Sequence, residues 1–181
     1  MKKNRKGFTL VELIIVIVIL GILTVAAAPR FIDISSDAHL AKFKSAYGSF
    51  KTGMELANIK WRIKGSPVPA NAINLLDNID FNAQGYPAGI DDGAQVSTGQ
   101  DCIDIFTAVV DSSFILEVPV GDGHGIKNLS DEVDIAVTIN SDICYYTFVS
   151  ESKDIGYNAR QFRYYYATGV IQEWPTGFTL I

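Results

Sequence analysis

Between residues 8 and 28 the chain runs 21 residues in which only Thr9, Glu12, Gly21 and Thr24 are neither aliphatic nor aromatic. At a rise of about 1.5 Å per residue a helix over this run is roughly 30 Å long, the thickness of a bilayer core. Such a segment cannot alternate as a half-buried strand, and it is apolar on every side, which excludes an ordinary surface helix. It needs an apolar environment all round, supplied by lipid or by other protein.

Lys2, Lys3, Arg5 and Lys6 stand immediately in front of this run. By the positive-inside rule they keep the leader in the cytoplasm and send everything after the run outward. A cleaved secretory signal is the plain alternative, and Ala26-Ala27-Ala28 supplies small residues for a cut. Against it, the run exceeds a signal core, and Pro29 occupies the position just after that cut.

Glu12 sits inside the apolar run, where an unpaired charge costs several kcal/mol, roughly, so it calls for a partner. Snorkelling to the headgroup zone is the simplest alternative, because Glu12 lies one turn from the membrane edge. Farther along, Gly21 and Pro29 are both poor helix formers, the one through backbone entropy and the other through a lost hydrogen bond. The stretch between them is the weakest part of the helix.

The residues Lys6-Gly7-Phe8-Thr9-Leu10-Val11-Glu12-Leu13 resemble the class III signal of type IV prepilins and of type II secretion pseudopilins. The resemblance implies cleavage between Gly7 and Phe8 by a prepilin peptidase, which is also the methyltransferase, N-methylation of Phe8, and retention of the apolar helix in the mature protein. Cleavage creates an α-ammonium at Phe8. In an assembled fibre Glu12 of one subunit neutralises the Phe8 amine of its neighbour, turning a buried charge into an assembly register. In the family the positions of Gly21 and Pro29 are associated with helix unwinding on assembly; a static kink is the other reading.

Beyond Pro29, Leu40, Phe43, Tyr47, Phe50, Met54, Ala57 and Trp61 recur at alternating gaps of 3 and 4, which makes one helix face apolar. The expected helix covers 8–62: 8–28 as transmembrane segment or fibre core, 29–62 as an amphipathic stem. Its length is on the order of 80 Å. The stripe mixes aromatics with Ala and is interrupted by Gly48 and Gly53, which suits packing on a sheet; a dimeric coiled coil is the rival.

Residues 63–113 read as a connecting loop, rich in Gly, Pro, Asn and Asp, with a short helix over 101–110 that places Cys102, Ile105, Phe106 and Val109 on one face. Strand-like runs follow at 114–120, 133–140, 143–150 and 161–174, the last folded at Thr168-Gly169 as a hairpin. The expected fold is α+β: a long N-terminal helix packed on a small antiparallel sheet formed by 114–181, the arrangement that the pilin resemblance also implies.

Cys102 and Cys144 are the only cysteines and lie in no CxxC pattern. A disulfide is their simplest use and places the body in an oxidising compartment; two buried thiols in a cytosolic protein is the alternative. A bridge there closes a loop worth roughly 4 kcal/mol on the loop-entropy model. The bridged region encloses two expected strands, so functions tied to the C-terminal tail of many pilins do not transfer.

Charge decides between partner classes. Residues 70–151 carry fourteen Asp or Glu against the single base Lys127, an acidic body that repels nucleic acid. The stem is basic, with Lys42, Lys44, Lys51, Lys60, Arg62 and Lys64 against Glu55. His39 and His124 have no partner at catalytic or metal-binding spacing. Asp91-Asp92 and Asp101 with Asp104 read as turn carboxylates, since no EF-hand spacing is present. No nucleophile with its base and no phosphate-cradling loop occurs, so neither an enzyme nor a cofactor or metal site is expected.

The stretch 26–38, Ala-Ala-Ala-Pro-Arg-Phe-Ile-Asp-Ile-Ser-Ser-Asp-Ala, is similar to pilins of the mannose-sensitive haemagglutinin system. That resemblance implies a fibre subunit, partnered by copies of itself or other pilins, that passes from the inner membrane to an extracellular pilus serving surface adhesion and biofilm attachment, with surface glycans as possible ligands. The rivals are a pseudopilin of a type II secretion machine and a minor tip subunit with a ligand-binding head. Exposed aromatics in Tyr164-Tyr165-Tyr166 are the sole candidates for such a ligand site, and alternate members are expected to fill the core.

Overall fold

The computed structural model describes residues 7–67, 79–90, 95–110, 113–119, 129–149 and 160–174, and within these no side chain of 28–33 or 35–36. The leader residues 1–6, Asp91-Asp92 and His124 lie outside the described residues. Contacts divide the chain into two units, Met1–Leu40 and Ala41–Ile181.

Helix α1 spans Leu10–Ile63. Its backbone stays helical through Gly21 and Pro29. The end is set by chemistry at Gly65, which takes φ of 88°. Its N–H donates to Arg62 O at 3.0 Å, while Ser66 N–H donates to Trp61 O at 3.1 Å. These are the two bonds of a Schellman cap, which satisfies the last carbonyls of the helix and turns the chain away. The Trp61 indole then donates to Pro67 O at 3.0 Å, fastening the exit.

In the first unit the window Leu10–Ala27 has mean hydropathy 3.0 and none of it is buried. It is long and apolar enough to cross a membrane.

In the second unit the stem stripe meets its own chain. Phe43, Phe50, Met54, Ala57 and Trp61 are all buried, whereas Lys44, Lys51, Glu55 and Lys60 are exposed. The partner is a five-stranded sheet whose strands lie side by side in chain order. Its strands are β3 (Leu116–Glu117), β4 (Ile135–Asn140), β5 (Ile143–Phe148), β6 (Gln161–Tyr165) and β7 (Val170–Trp174). Alternation decides the core face: Cys144, Tyr146 and Phe148 from β5 and Phe162 and Tyr164 from β6 are buried, while Tyr145, Gln161, Arg163 and Tyr165 between them are half-exposed.

All pairings among β4 to β7 are antiparallel. The short edge strand β3 departs from the expected pattern by pairing parallel to β4, Leu116 with Ile135 and Glu117 with Ala136. Seventeen residues separate these strands, room for the crossover that a parallel pair requires. Asp134 anchors the junction, accepting from Ile115 N–H at 3.2 Å and pairing with Lys42 of the stem.

Aromatic rings fill the space between helix and sheet. Phe50 lies 5.2–5.7 Å, centroid to centroid, from Phe106, Tyr146, Phe162 and Tyr164. The two buried hydroxyls do not go unpaired: Tyr146 donates to Cys102 O at 2.8 Å and Tyr164 to Pro87 O at 2.7 Å. Burial pushes both phenols well above their ordinary range, Tyr164 further through its neighbours Tyr146 and Tyr86.

The connecting region is more ordered than its composition implies. It contains a small antiparallel pair, β1 (Asp80–Phe81) with β2 (Pro87–Gly89), and helix α2 (Gly99–Val109). Helix α2 starts two residues ahead of the expected 101–110. Thr98 is the N-cap of a capping box: Asp101 N–H donates to Thr98 Oγ1 at 3.1 Å, and Thr98 N–H returns a bond to Asp101 Oδ2 at 2.7 Å. Helices α1 and α2 approach closely at Gly53, where a Cβ would lie 2.2 Å from the Val109 carbonyl oxygen. A disulfide joins Cys102 of α2 to Cys144 of β5, across a sequence separation of 42.

Candidate processing and assembly segment

Residues 7–9 precede the helix and adopt no regular structure. Phe8 is 82% exposed, so the Gly7-Phe8 bond lies in open chain, as a protease that binds its substrate extended requires. Gly7 has no atom of the described residues within 4 Å of the place of a Cβ.

Glu12 has a partner in its own chain. Its Oε2 accepts from the Thr9 backbone N–H at 2.8 Å and from the Thr9 hydroxyl at 2.8 Å. Glu12 N–H donates in turn to Thr9 Oγ1 at 3.3 Å. Thr9 therefore acts as N-cap and Glu12 as the third helical residue of a capping box, and the carboxylate also faces the positive end of the helix dipole. Thr9 is not among the residues expected from sequence to act here. A signal was present: Thr-x-x-Glu directly ahead of an apolar run is the sequence form of this cap.

The remaining polar group in the run is also satisfied locally. Thr24 Oγ1 donates to Leu20 O at 2.7 Å, the back-bond by which a hydroxyl enters an apolar helix without an unmet donor. Gly21 has open space around it, and Pro29 is known here only by its helical backbone.

Of the acidic residues singled out by sequence, Asp101 and Asp104 are engaged within the fold. Asp101 is buried, which by itself raises its carboxyl pKa, but bonds from the Ser97 and Thr98 backbones and hydroxyls outweigh this and hold it below the ordinary range. Asp104 accepts from Gln100 Nε2 at 3.0 Å. Among the described residues no group of three His, Cys, Asp or Glu side chains gathers as a metal site. Of the tyrosine run, Tyr164 is in the core, while Tyr165 and Tyr166 are half-buried.

Comparison with known proteins points to the same segment. Residues 2–28 match the family model described as the prokaryotic N-terminal methylation motif. The chain is similar to the type IV narrow pilus major component PilA5 of Thermus thermophilus, 42% identical over 64 residues, which are 35% of this chain and 53% of that protein. It is similar to the type IV major fimbrial protein FimA of Dichelobacter nodosus, 34% identical over 84 residues, 46% of this chain and 53% of that protein. A fimbrial protein of Pseudomonas aeruginosa is 40% identical over 55 residues, 30% of this chain and 36% of its own length. The chain spans about half the length of the first two relatives and about a third of the last. No solved structure matches the chain significantly.

Proposed function

We propose that this chain, a member of the type IV pilin family through its N-terminal methylation motif, is a structural subunit of a type IV pilus. It is made as a single-pass inner-membrane precursor, cut between Gly7 and Phe8, methylated at Phe8, and assembled through α1 into an extracellular fibre with copies of itself or other pilins. The observation that carries this reading is an 18-residue apolar helix segment with no buried residue, opened by a capping box that holds Glu12 next to an exposed Gly7-Phe8 junction.

The chemistry follows from charge. While the chain lies in the membrane, the Thr9 box satisfies Glu12. Cutting at Gly7 frees an ammonium on Phe8, and in the fibre Glu12 pairs with the Phe8 ammonium of the next subunit in an apolar surrounding, where Coulomb attraction is strong and solvent does not compete. Gly21 and Pro29 give the helix places to unwind as subunits stack.

The resemblance of residues 26–38 to mannose-sensitive haemagglutinin pilins supports a role in surface adhesion and biofilm attachment, with glycans as the class of ligand. The names of the relatives, all pilus or fimbrial proteins, favour a surface fibre over a secretion pseudopilus.

Mass spectrometry of the mature N-terminus tests processing: the expected first residue is a methylated Phe8. Gly7→Leu is expected to leave uncut, membrane-anchored precursor, and mature-length protein from that variant would refute the junction. Glu12→Ala is expected to be cut and yet absent from sheared surface fibres; normal fibres would refute the charge pairing. Wild-type chain missing from surface appendages would transfer the reading to a pseudopilin.

A further inference from the structure

Strand β7 closes one side of the sheet, and among the described residues it has no neighbour beyond β6. It is open to solvent, with Val170 51% and Trp174 38% exposed. Natural edge strands are blunted by charged side chains, lysine above all, by proline, a bulge or extreme shortness. The five residues Val-Ile-Gln-Glu-Trp hold no lysine, proline or bulge and a single charge, Glu173, paired with Phe162 on the core side, and their pairing with β6 is regular throughout, Gln161 with Trp174 to Tyr165 with Val170. A strand with free backbone groups on one side pairs with another strand.

The residue pattern selects which strand. Antiparallel pairing of β7 with β7 of a second copy about Gln172 places Val170 opposite Trp174, Ile171 opposite Glu173, and Gln172 opposite itself. Both Val–Trp contacts are the aromatic with β-branched pairs that stabilise sheets, and the strand's only charge, Glu173, never faces its own copy. A register shifted by one would lay the solvent face of one sheet beside the core face of the other. A shift by two would lose pairs from a strand of five.

The solvent face also continues across this junction. Tyr145, Arg163 and Trp174 form a ladder over β5, β6 and β7, the guanidinium 5.0 Å from the Tyr145 ring centroid and 4.2 Å from that of Trp174. Val170 of a second copy is the next rung after Trp174.

We propose that β7 is a self-complementary docking edge whose partner is β7 of a second copy of this chain, and that it joins fibres side by side. A two-fold contact closes on itself and cannot propagate along a polar fibre, which grows by head-to-tail contacts. It therefore links subunits of different fibres. One five-residue pairing is weak, but fibres display the edge repeatedly, and each contact made raises the effective concentration of the next. This inference rests on the fibre reading for its consequence, though not for the pairing itself.

Cysteine substitution tests it directly. Gln172 sits on the two-fold, and directly opposed Cα atoms in an antiparallel pair lie about 4.5–5.5 Å apart, within disulfide range. The native bridge is buried at both ends and leaves no free thiol. In oxidised, sheared fibres of the full chain, Gln172→Cys is expected to give a disulfide-linked dimer. Asn140→Cys, exposed at the end of β4, is expected to stay monomeric.

Gln172→Lys and Gln172→Glu are expected to assemble normally yet to form single fibres, while a mixture of the two restores bundles seen by electron microscopy. Equal cross-linking at Asn140 and Gln172, or bundles of Gln172→Lys fibres alone as frequent as in wild type, would overturn the proposal. If fibres lack the chain altogether, the fibre reading fails instead. The dimer is then sought in oxidised membranes holding the full Gln172→Cys chain, where its absence overturns the pairing.

Discussion

One helix solves the problem of apolar surface in two ways. Over Leu10–Ala27 α1 is apolar all round and none of it is buried by its own chain. From Phe43 to Trp61 the large buried residues fall on one stripe, with Leu56 and Ile59 left exposed off it, and that stripe is buried by β1, β5, β6 and α2 of the same chain. The difference lies in distribution rather than hydrophobicity. A one-sided stripe finishes its burial when the chain folds, whereas an all-round surface has no intramolecular partner wide enough and requires lipid or other subunits. On the proposed function the first part serves assembly, while the second serves the stability of the fold.

Substitutions that strike the two parts unequally put this division at risk. Phe50→Ala removes a ring from contact with four other aromatics and is expected to cost about 3–5 kcal/mol, read as a lower urea midpoint of the detergent-solubilised chain. Ile17→Ala is expected to leave that midpoint unmoved. A comparable loss from Ile17→Ala would break the comparison.

Replacing Cys102 and Cys144 together by Ala is expected to cost up to about 4 kcal/mol in the same assay, since the bridge restrains a loop only in the second unit. Circular dichroism should find the N-terminal helix intact.

Titration sharpens the picture, because the two phenols pushed furthest by burial in the second unit, Tyr146 and Tyr164, belong to its core. Tyr146 and Tyr164 ionise in the unfolded chain near pH 10, but resist ionisation when folded. Their stabilising contribution is thus complete below about pH 10 and is lost as pH rises above it. Asp101 acts in the opposite direction: with its folded pKa depressed, its contribution is present above about pH 4 and is lost as pH falls through the folded value. Denaturation midpoints measured across pH should fall at both ends.

The smallest effect is expected from Lys42→Ala. It removes a partly exposed ion pair with Asp134 and should cost about 1 kcal/mol or less.

Much of this was legible in residue order. The 3-and-4 spacing from Phe43 to Trp61 identified the buried face of the stem, and alternation in Tyr164-Tyr165-Tyr166 identified Tyr164 as a core residue. The hairpin at Thr168-Gly169 was readable because Gly169 takes φ of 72° in the turn. Less legible was the connecting region outside its expected helix, whose glycines and prolines resemble loop while β1 and β2 are held there by contacts remote in sequence, such as Tyr164 with Pro87. Thr9 was missed for another reason: the resemblance supplied an intersubunit partner for Glu12, and the local cap three residues away went unread.

Periodicity and charge by themselves determined that the chain has an apolar helix at its start, an amphipathic continuation and an acidic body, because these depend on which residues are neighbours along a helix or strand. Tertiary structure alone decided the parallel pairing of β3, the closeness of α1 and α2 at Gly53, and the two tyrosine hydroxyls turned onto backbone carbonyls. Each of these is a contact between segments far apart in the chain, whose geometry is set only when the aromatic core has packed.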